Sequence, residues 1–352
     1  MSIIEDNQRT ELSEIGEFGL IEVLTKGIEI QNKSTIKGVG DDAAVLHYGN
    51  KETLVTKDLL IEGVHFDLTY VPLKHLGYKA AVVNISDIVA MNGKPNQLII
   101  GIGASNRFSA EALSELYSGV YLACKNYGVD VVGGDTVSSN SGLVLSITCI
   151  GEASKSDIVY RNTANKGDLV FVSGNLGAAY MGLMILEREK QAFKVDPNMQ
   201  PDLAGHDYIL ERQLKPEARD DVLRILKEAG VKPTSMIDIS DGLASEILHI
   251  THQSKLGATI YEEKLPIDIT TDLVSKEFAI DPTTAALNGG EDYELLFTVS
   301  QKDYEKLKEI KEITVIGHMT DEAAGVNLVS RSGTQVEITA QGWDAFLKKD
   351  QD

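Results

Sequence analysis

Apolar residues recur at helical spacing from Gly77 to Ala90, where Ala80, Val83, Asn84 and Asp87 fall near one face, and again from Ala110 to Asn126. Both stretches predict helices. A further helix is expected from Glu17 to Lys26 on the spacing of Phe18 and Ile21, ended by the polar run Gln31 to Thr35. Thr53 to Thr56 and Val64 to Leu68 read as extended. Leu98 to Ile102, Val129 to Val132 and Leu143 to Ile150 are β-rich apolar runs bounded by glycine, the pattern of buried strands.

The pattern turns polar from Glu152 to Lys166, and "DLVFVSGNLGAAYMGLMIL" then restarts as strand, glycine turn and helix. This places a boundary near Ser154 and predicts two domains, residues 1–153 and 154–352. The second contains a polar excursion from Gln191 to Asp207 and a helix from Asp220 to Gly230. Strand Met236 to Ile239, helix Leu243 to Gln253, strand Ala258 to Glu262 and a last strand Glu294 to Val299 follow. The fold class is α/β (α+β). A chain of 352 residues, 43% hydrophobic, is long enough to bury two cores.

Charge narrows the partners. Lys and Arg number 33 against 53 Asp and Glu, a formal charge of −20 that repels nucleic-acid backbones and anionic membrane surfaces and favours cations. Cys124 and Cys149 lie in apolar surroundings without CxxC spacing, so both read as buried thiols rather than a disulfide or zinc site. The acidic start, MSIIEDNQRTELSEIGEFG, lacks a basic region followed by an apolar stretch, which predicts a cytoplasmic chain.

Acidic residues beside glycine or on apolar faces mark the candidate chemistry. "GVGDDAAV" sets Asp41 and Asp42 on a glycine turn, able to hold a hard cation or simply to form a solvated turn. In "TKDLLIEGVHF", Asp58 follows a strand as a candidate metal ligand, and His65 is either a ligand donor or a half-buried histidine bonded to backbone. Asp87 sits on an apolar helix in "NISDIVAMNG", where burial demands a partner or a metal. "VVGGDTV" runs a strand into Gly133 and Gly134 before Asp135, which suits either a phosphate-bridging metal or a tight turn.

In "MIDISDGLASEILHI" a strand delivers Asp238 and Ser240 before Asp241 and Gly242 turn into a helix. Either Ser240 or Asp241 would serve as N-cap, leaving Asp238 surplus to capping. Arg161 suits phosphate or lies on the surface, and Glu291 with Asp292 follows paired glycines in a ligand site or a hairpin. "GNLGAA" at Gly174 is either an anion-binding helix terminus or a plain turn, and Trp343 packs in the core or stacks on a cationic ring. GxxxxGK[ST], HExxH and GxSxG are all absent. Were several of these acids to meet, each close pair would repel by roughly 4 kcal/mol at an effective dielectric of about 20, which only cations make tenable.

The order of "GDDAA", "NISDIVAMNGKP", "GGDT", "LERQLKPEAR", "IDISDGL", "GGEDYEL" and "GWDAF" resembles the thiamine-monophosphate kinase family of the aminoimidazole ribonucleotide synthetase-like superfamily, over Gly16 to Phe346. The resemblance implies ATP-dependent phosphorylation of thiamine monophosphate to thiamine diphosphate with several magnesium ions, in a homodimer whose N-terminal domains pair. It implies Asp42, Thr56, Asp58, Asp87, Asp135, Asp238 and Asp241 as metal ligands, with Asp135, Asp238 and Asp241 catalytic. Tyr117, Gly134, Arg161 and Ser240 would contact ATP, and His65, Glu291 and Trp343 the thiamine moiety. Lys57 stands directly before Asp58 where the family commonly carries threonine. The rival readings are a related ligase of the same superfamily and a non-catalytic acidic metal binder.

Overall fold

Alternation along one strand sets the layout of the first half of the chain. The structure is a computed structural model; it describes residue 10, residues 23–37 and residues 45–340. Contacts divide the chain into two units after Ile158. In the first, β1 (Thr35–Lys37) and β2 (Val45–Leu46) form an antiparallel ribbon. A four-stranded sheet of order β3-β6-β4-β5 follows, from β3 (Glu52–Ile61), β4 (Lys94–Ala104), β5 (Asp130–Ser138) and β6 (Val144–Ala153). Along β3, Leu54, Thr56, Asp58 and Leu60 are buried or half-buried, whereas Val55, Lys57, Leu59 and Ile61 are exposed.

One face of this sheet carries α1 (Leu73–Ala90), which packs on β3, β4 and β6 and against α2 (Ala110–Tyr127). Ser109 caps α2 by accepting from Ala112 N–H at 3.3 Å, and Gly128 ends it with φ at 66°. The two helices touch through glycine. A Cβ on Gly119 would lie 1.8 Å from the Lys74 carbonyl oxygen, and one on Gly77 1.9 Å from that of Leu116. The opposite face stays open, with Val55 65% and Leu59 51% exposed on β3 and Val137 56% exposed on β5.

The second unit is a seven-stranded sheet of order β13-β12-β9-β11-β7-β10-β8. Its strands are β7 (Leu169–Ser173), β8 (Ser235–Asp238), β9 (Leu256–Tyr261), β10 (Leu295–Val299), β11 (Ile313–Asp321), β12 (Val326–Val329) and β13 (Gln335–Glu337). The helices are α3 (Ala178–Val195), α4 (Asp207–Leu214), α5 (Asp220–Glu228), α6 (Leu243–Ser254), α7 (Ile269–Glu277) and α8 (Pro282–Asn288). Val172, Ile237, Leu243, Ile247, Ile260 and Leu296 lie at the centre of its core.

Several elements depart from the sequence pattern. Val64 to Leu68 is a turn rather than a strand: Val64 and His65 N–H both donate to the Ile61 carbonyl, at 3.1 and 2.9 Å. Gly133, Gly134 and Asp135 continue inside β5 instead of following it. Strand β10 is not the last, since three more follow it. The polar excursion is shorter than Gln191 to Asp207, because α3 runs to Val195 and α4 begins at Asp207. Of the helix expected from Glu17 to Lys26, residues 23–25 are helical and residues 17–22 lie outside the described residues. No helix among the described residues is long and apolar enough to cross a membrane.

Candidate active site

The parity of β3 turns Thr56 and Asp58 toward α1, where Asp87 waits. Thr56 Oγ1 donates to Asp87 Oδ2 at 2.5 Å, and Asp58 N–H donates to Asn84 Oδ1 at 3.0 Å. Asn84 is oriented in turn, since its amide donates to the Ala80 carbonyl at 3.0 Å. Burial, and then the Asp87 charge, pushes the Asp58 carboxyl up to about 6. Lys57 points to the open face, so Thr56 is the hydroxyl that shares a face with the two acids.

A raised carboxyl has a defined sign in stability. Protonated Asp58 supports the metal-free fold at low pH, and that contribution is lost as pH rises through about 6. Without divalent metal, Asp58→Asn is therefore expected to match the wild type near pH 4 in urea unfolding and to exceed it by about 2 kcal/mol at pH 8. A constant difference between those pH values would refute the burial and Asp87 account.

Other residues of this unit lie elsewhere. Asp135 pairs with Gly101, Gly101 with Ser146 and Ser146 with Leu59, one residue from Asp58 and therefore on the opposite face of the sheet. Gly134 has a structural reason to be glycine, because a Cβ would sit 2.2 Å from the Ile100 carbonyl oxygen of β4. Tyr117 is only 7% exposed and packs edge-on against Tyr121, a core position within its own unit. His65 is exposed rather than half-buried; its Nδ1 accepts from Ile61 N–H at 3.0 Å, which assigns the ring proton to Nε2. Cys124 and Cys149 are buried thiols, and burial first, then the Asp130 charge, pushes Cys124 up to about 12. Asp41 and Asp42 lie outside the described residues.

In the second unit the C-terminal end of β8 meets the approach to β10. Asp238, 3% exposed, pairs with Leu295. Beyond it the two chains are joined by backbone bonds: Ile239 N–H to Glu294 O at 2.7 Å, Tyr293 N–H to Ile239 O at 2.9 Å and Glu291 N–H to Ser240 O at 2.7 Å. This is no hairpin. Gly290, Glu291 and Tyr293 take left-handed φ values of 72°, 59° and 51°.

Neither Ser240 nor Asp241 caps α6. The N-cap is Gly242, with φ at 114° and no side-chain bond, and Asp241 N–H donates instead to Glu246 Oε1 at 2.9 Å. Glu246 is buried, and burial pushes it up to about 8, with the Asp241 and Asp238 charges adding to that and Arg161 opposing it. Burial likewise raises Asp241, His249 opposes it, and Glu291 adds to it. Glu246 escaped the sequence reading, although an acid on the apolar face of "LASEILHI" carries the same signal that singles out Asp87.

Arg161 is exposed, and its carbonyl accepts from Ser235 Oγ at 2.8 Å and Ser254 Oγ at 3.2 Å, which fixes the backbone that carries the guanidinium. The Gly174 turn is not a vacant anion site. Asp292 fills it by accepting from Gly177 N–H at 2.7 Å and Ala179 N–H at 3.4 Å, at the start of α3. Trp343 lies outside the described residues.

Among the described residues no three His, Cys, Asp or Glu side chains gather as a metal cage. Each unit instead brings acids near one another without closing a cage, Asp58 with Asp87 in the first and Glu246 with the Asp238 and Asp241 charges in the second, and Asp58, Asp241 and Glu246 are raised by burial. Such incomplete oxygen donor sets fit magnesium, which keeps part of its shell for water and phosphate oxygens.

Known proteins match this arrangement along its whole length. Residues 40–153 match the family described as AIR synthase related protein, N-terminal domain, and residues 165–328 its C-terminal domain. Thiamine-monophosphate kinase of Aquifex aeolicus is 35% identical over 95% of this chain and 99% of its own. That of Bacillus subtilis is 34% identical over 94% and 99%. The solved structure of AaThiL complexed with AMPPCP and TMP superposes with a TM-score of 0.74 at 33% identity, covering 97% of this chain and all of the other. The hydrogenase maturation protein HypE in complex with ATP, 17% identical with a TM-score of 0.69 over 94% of this chain and 93% of its own, shares the fold. Identity near one third across nearly every residue of both partners places the chain in the thiamine-monophosphate kinase family.

Proposed function

We propose that this chain transfers the γ-phosphoryl group of ATP to thiamine monophosphate, giving ADP and thiamine diphosphate. The observation that carries this reading is the crowding of partly desolvated carboxylates, Asp58 with Asp87 and Glu246 with the Asp238 and Asp241 charges, in a chain of the thiamine-monophosphate kinase family. Acids held this way call for cations, and phosphoryl transfer is the chemistry that brings cations and phosphates together.

Thr56, Asp58 and Asp87 in the first unit and Asp238 and Asp241 in the second would hold magnesium, as would Asp42, while Asp135, on the other face of its sheet, stands apart from Asp58 and Asp87. Bound there, magnesium would neutralise phosphate charge and hold the reacting oxygens in line. The acceptor is a phosphate oxygen with a second pKa of about 6, largely ionised near neutral pH, so the chain needs no general base. Its own residues position and desolvate. Gly134, Arg161 and Ser240 would each contact ATP, while His65, Glu291 and Trp343 would contact the thiamine moiety. Residues 1–153 would carry the nucleotide and metal contacts and residues 154–352 the remaining acids.

The protein is proposed to act in the cytoplasm as a homodimer formed by the N-terminal domains. The open sheet face, with Val55, Leu59 and Val137 exposed, supports that pairing. Sedimentation at about twice the 38.3 kDa chain mass would check it. The activity is tested by incubating the purified protein with ATP, magnesium and thiamine monophosphate. ADP and thiamine diphosphate should appear in equal amounts, and unchanged thiamine monophosphate would sink the assignment.

A further inference from the structure

The "LERQLKPEAR" segment has no part in the roles assigned so far, yet it wraps the most strained backbone of the second unit. Arg212 donates to the Asp292 carbonyl at 2.9 Å and pairs with Glu294 Oε1 at 2.8 Å. Arg219 reaches the other oxygen of Glu294 and holds Asp221 at 2.9 and 3.0 Å. Ser173 Oγ donates to the same buried carboxylate at 2.5 Å. Left-handed non-glycine residues persist only where their surroundings over-determine them, and these contacts do so for Glu291 and Tyr293.

One bond in this set does nothing for the backbone. Gln213, buried next to Arg212 on α4, donates from Nε2 to Glu291 Oε2 at 2.8 Å. The Glu291 backbone is already fixed by its bond to Ser240 O and by the clamp on Asp292. Gln213 thereby fixes the direction of the Glu291 carboxylate. A buried amide held in this way costs side-chain entropy and desolvation.

We propose that Gln213 is a positioning residue for acceptor specificity, aiming the Glu291 carboxylate at the thiamine moiety. This rests on the reading of Glu291 given under the proposed function. The amide donor holds the carboxylate in one rotamer, pre-organised for a cationic or N–H-bearing heterocycle. Arg212 and Arg219 act one step further back, on the chain that carries Glu291.

The test compares Gln213→Met, Gln213→Glu and Glu291→Gln, with KM for thiamine monophosphate and for ATP, kcat and thermal unfolding measured on the full chain. Gln213→Met keeps the volume and removes the donor, and is expected to raise KM for thiamine monophosphate about tenfold while KM for ATP stays within about twofold. Gln213→Glu places like charges together and should raise the same constant further. If Gln213→Met does not fold, that variant carries the test. In the double variant of Gln213→Met and Glu291→Gln, the two effects should not add.

A raised KM for thiamine monophosphate in Glu291→Gln with none in either Gln213 variant overturns the positioning role and leaves the Glu291 reading standing. No change in Glu291→Gln overturns the Glu291 reading itself. Loss of thermal stability in the Gln213 variants with both KM values unmoved assigns Gln213 to the fold alone and overturns the proposal.

Discussion

Asp238→Asn is expected to lower kcat at least about a thousandfold while the protein unfolds at or above the wild-type temperature. The side chain is 3% exposed at the end of β8, and its charge acts on Glu246. Asparagine fills the same volume, so no cavity opens. In the metal-free protein the change removes a charge that acts on buried Glu246 and relieves repulsion. The oxygen charge needed to hold a cation is lost with it. The measurement is kcat at saturating ATP, thiamine monophosphate and magnesium, alongside a thermal melt. Global unfolding of the variant would assign Asp238 to the fold instead, and wild-type turnover would remove it from the metal set.

The second large effect concerns packing rather than chemistry. Gly119→Val is expected to destabilise the first unit by more than about 3 kcal/mol in urea unfolding. Even a Cβ at this position would lie 1.8 Å from the Lys74 carbonyl oxygen and 2.8 Å from Tyr78 N, both rigid backbone of α1. The helices would have to separate, and Gly77 repeats the constraint from the other side. Because α1 carries Asn84 and Asp87, the variant should also weaken magnesium dependence in whatever fraction stays folded. Wild-type stability in Gly119→Val would mean that α1 and α2 are further apart than described.

Much of the fold is legible in residue periodicity. Helices α2, α5 and α6 lie where apolar spacing puts them because each buries one face, and α1 lies at its apolar run although residues Leu76 to Ser86 are buried on every side. The reading fails where local bonding outweighs composition. Val64 to Leu68 is rich in strand-forming residues, yet the Ile61 carbonyl captures two successive N–H groups and turns the chain. Pattern also fails for α4, α7 and α8, short helices of 8, 9 and 7 residues whose apolar faces are too brief to carry a period.

The site was legible as a set of acids beside glycines, and less so as geometry. Asp58 and Asp87 are brought together, and Asp238 and Asp241 both act on Glu246, but strand register puts Asp135 on the other face of its sheet. Register is a long-range property that no local motif contains. Asp292 resembles a ligand acid and serves as a remote cap for α3, because its partners lie more than a hundred residues away. Glu246 carries the apolar-face signal that singles out Asp87, whereas Gln213, inside "LERQLKPEAR", shows its partner Glu291 only once the chain is folded.

Strand β3 sends its even-numbered residues to one partner and its odd-numbered residues to another. Substitutions along it should therefore accumulate in two independent series: Leu54, Thr56, Asp58 and Leu60 answer to the core and the acids, while Val55, Lys57, Leu59 and Ile61 answer only to whatever meets the open face. The departure at Lys57 falls in the second series. Drift at every other position of a ten-residue segment can therefore remodel the open face without disturbing the acids interleaved with it.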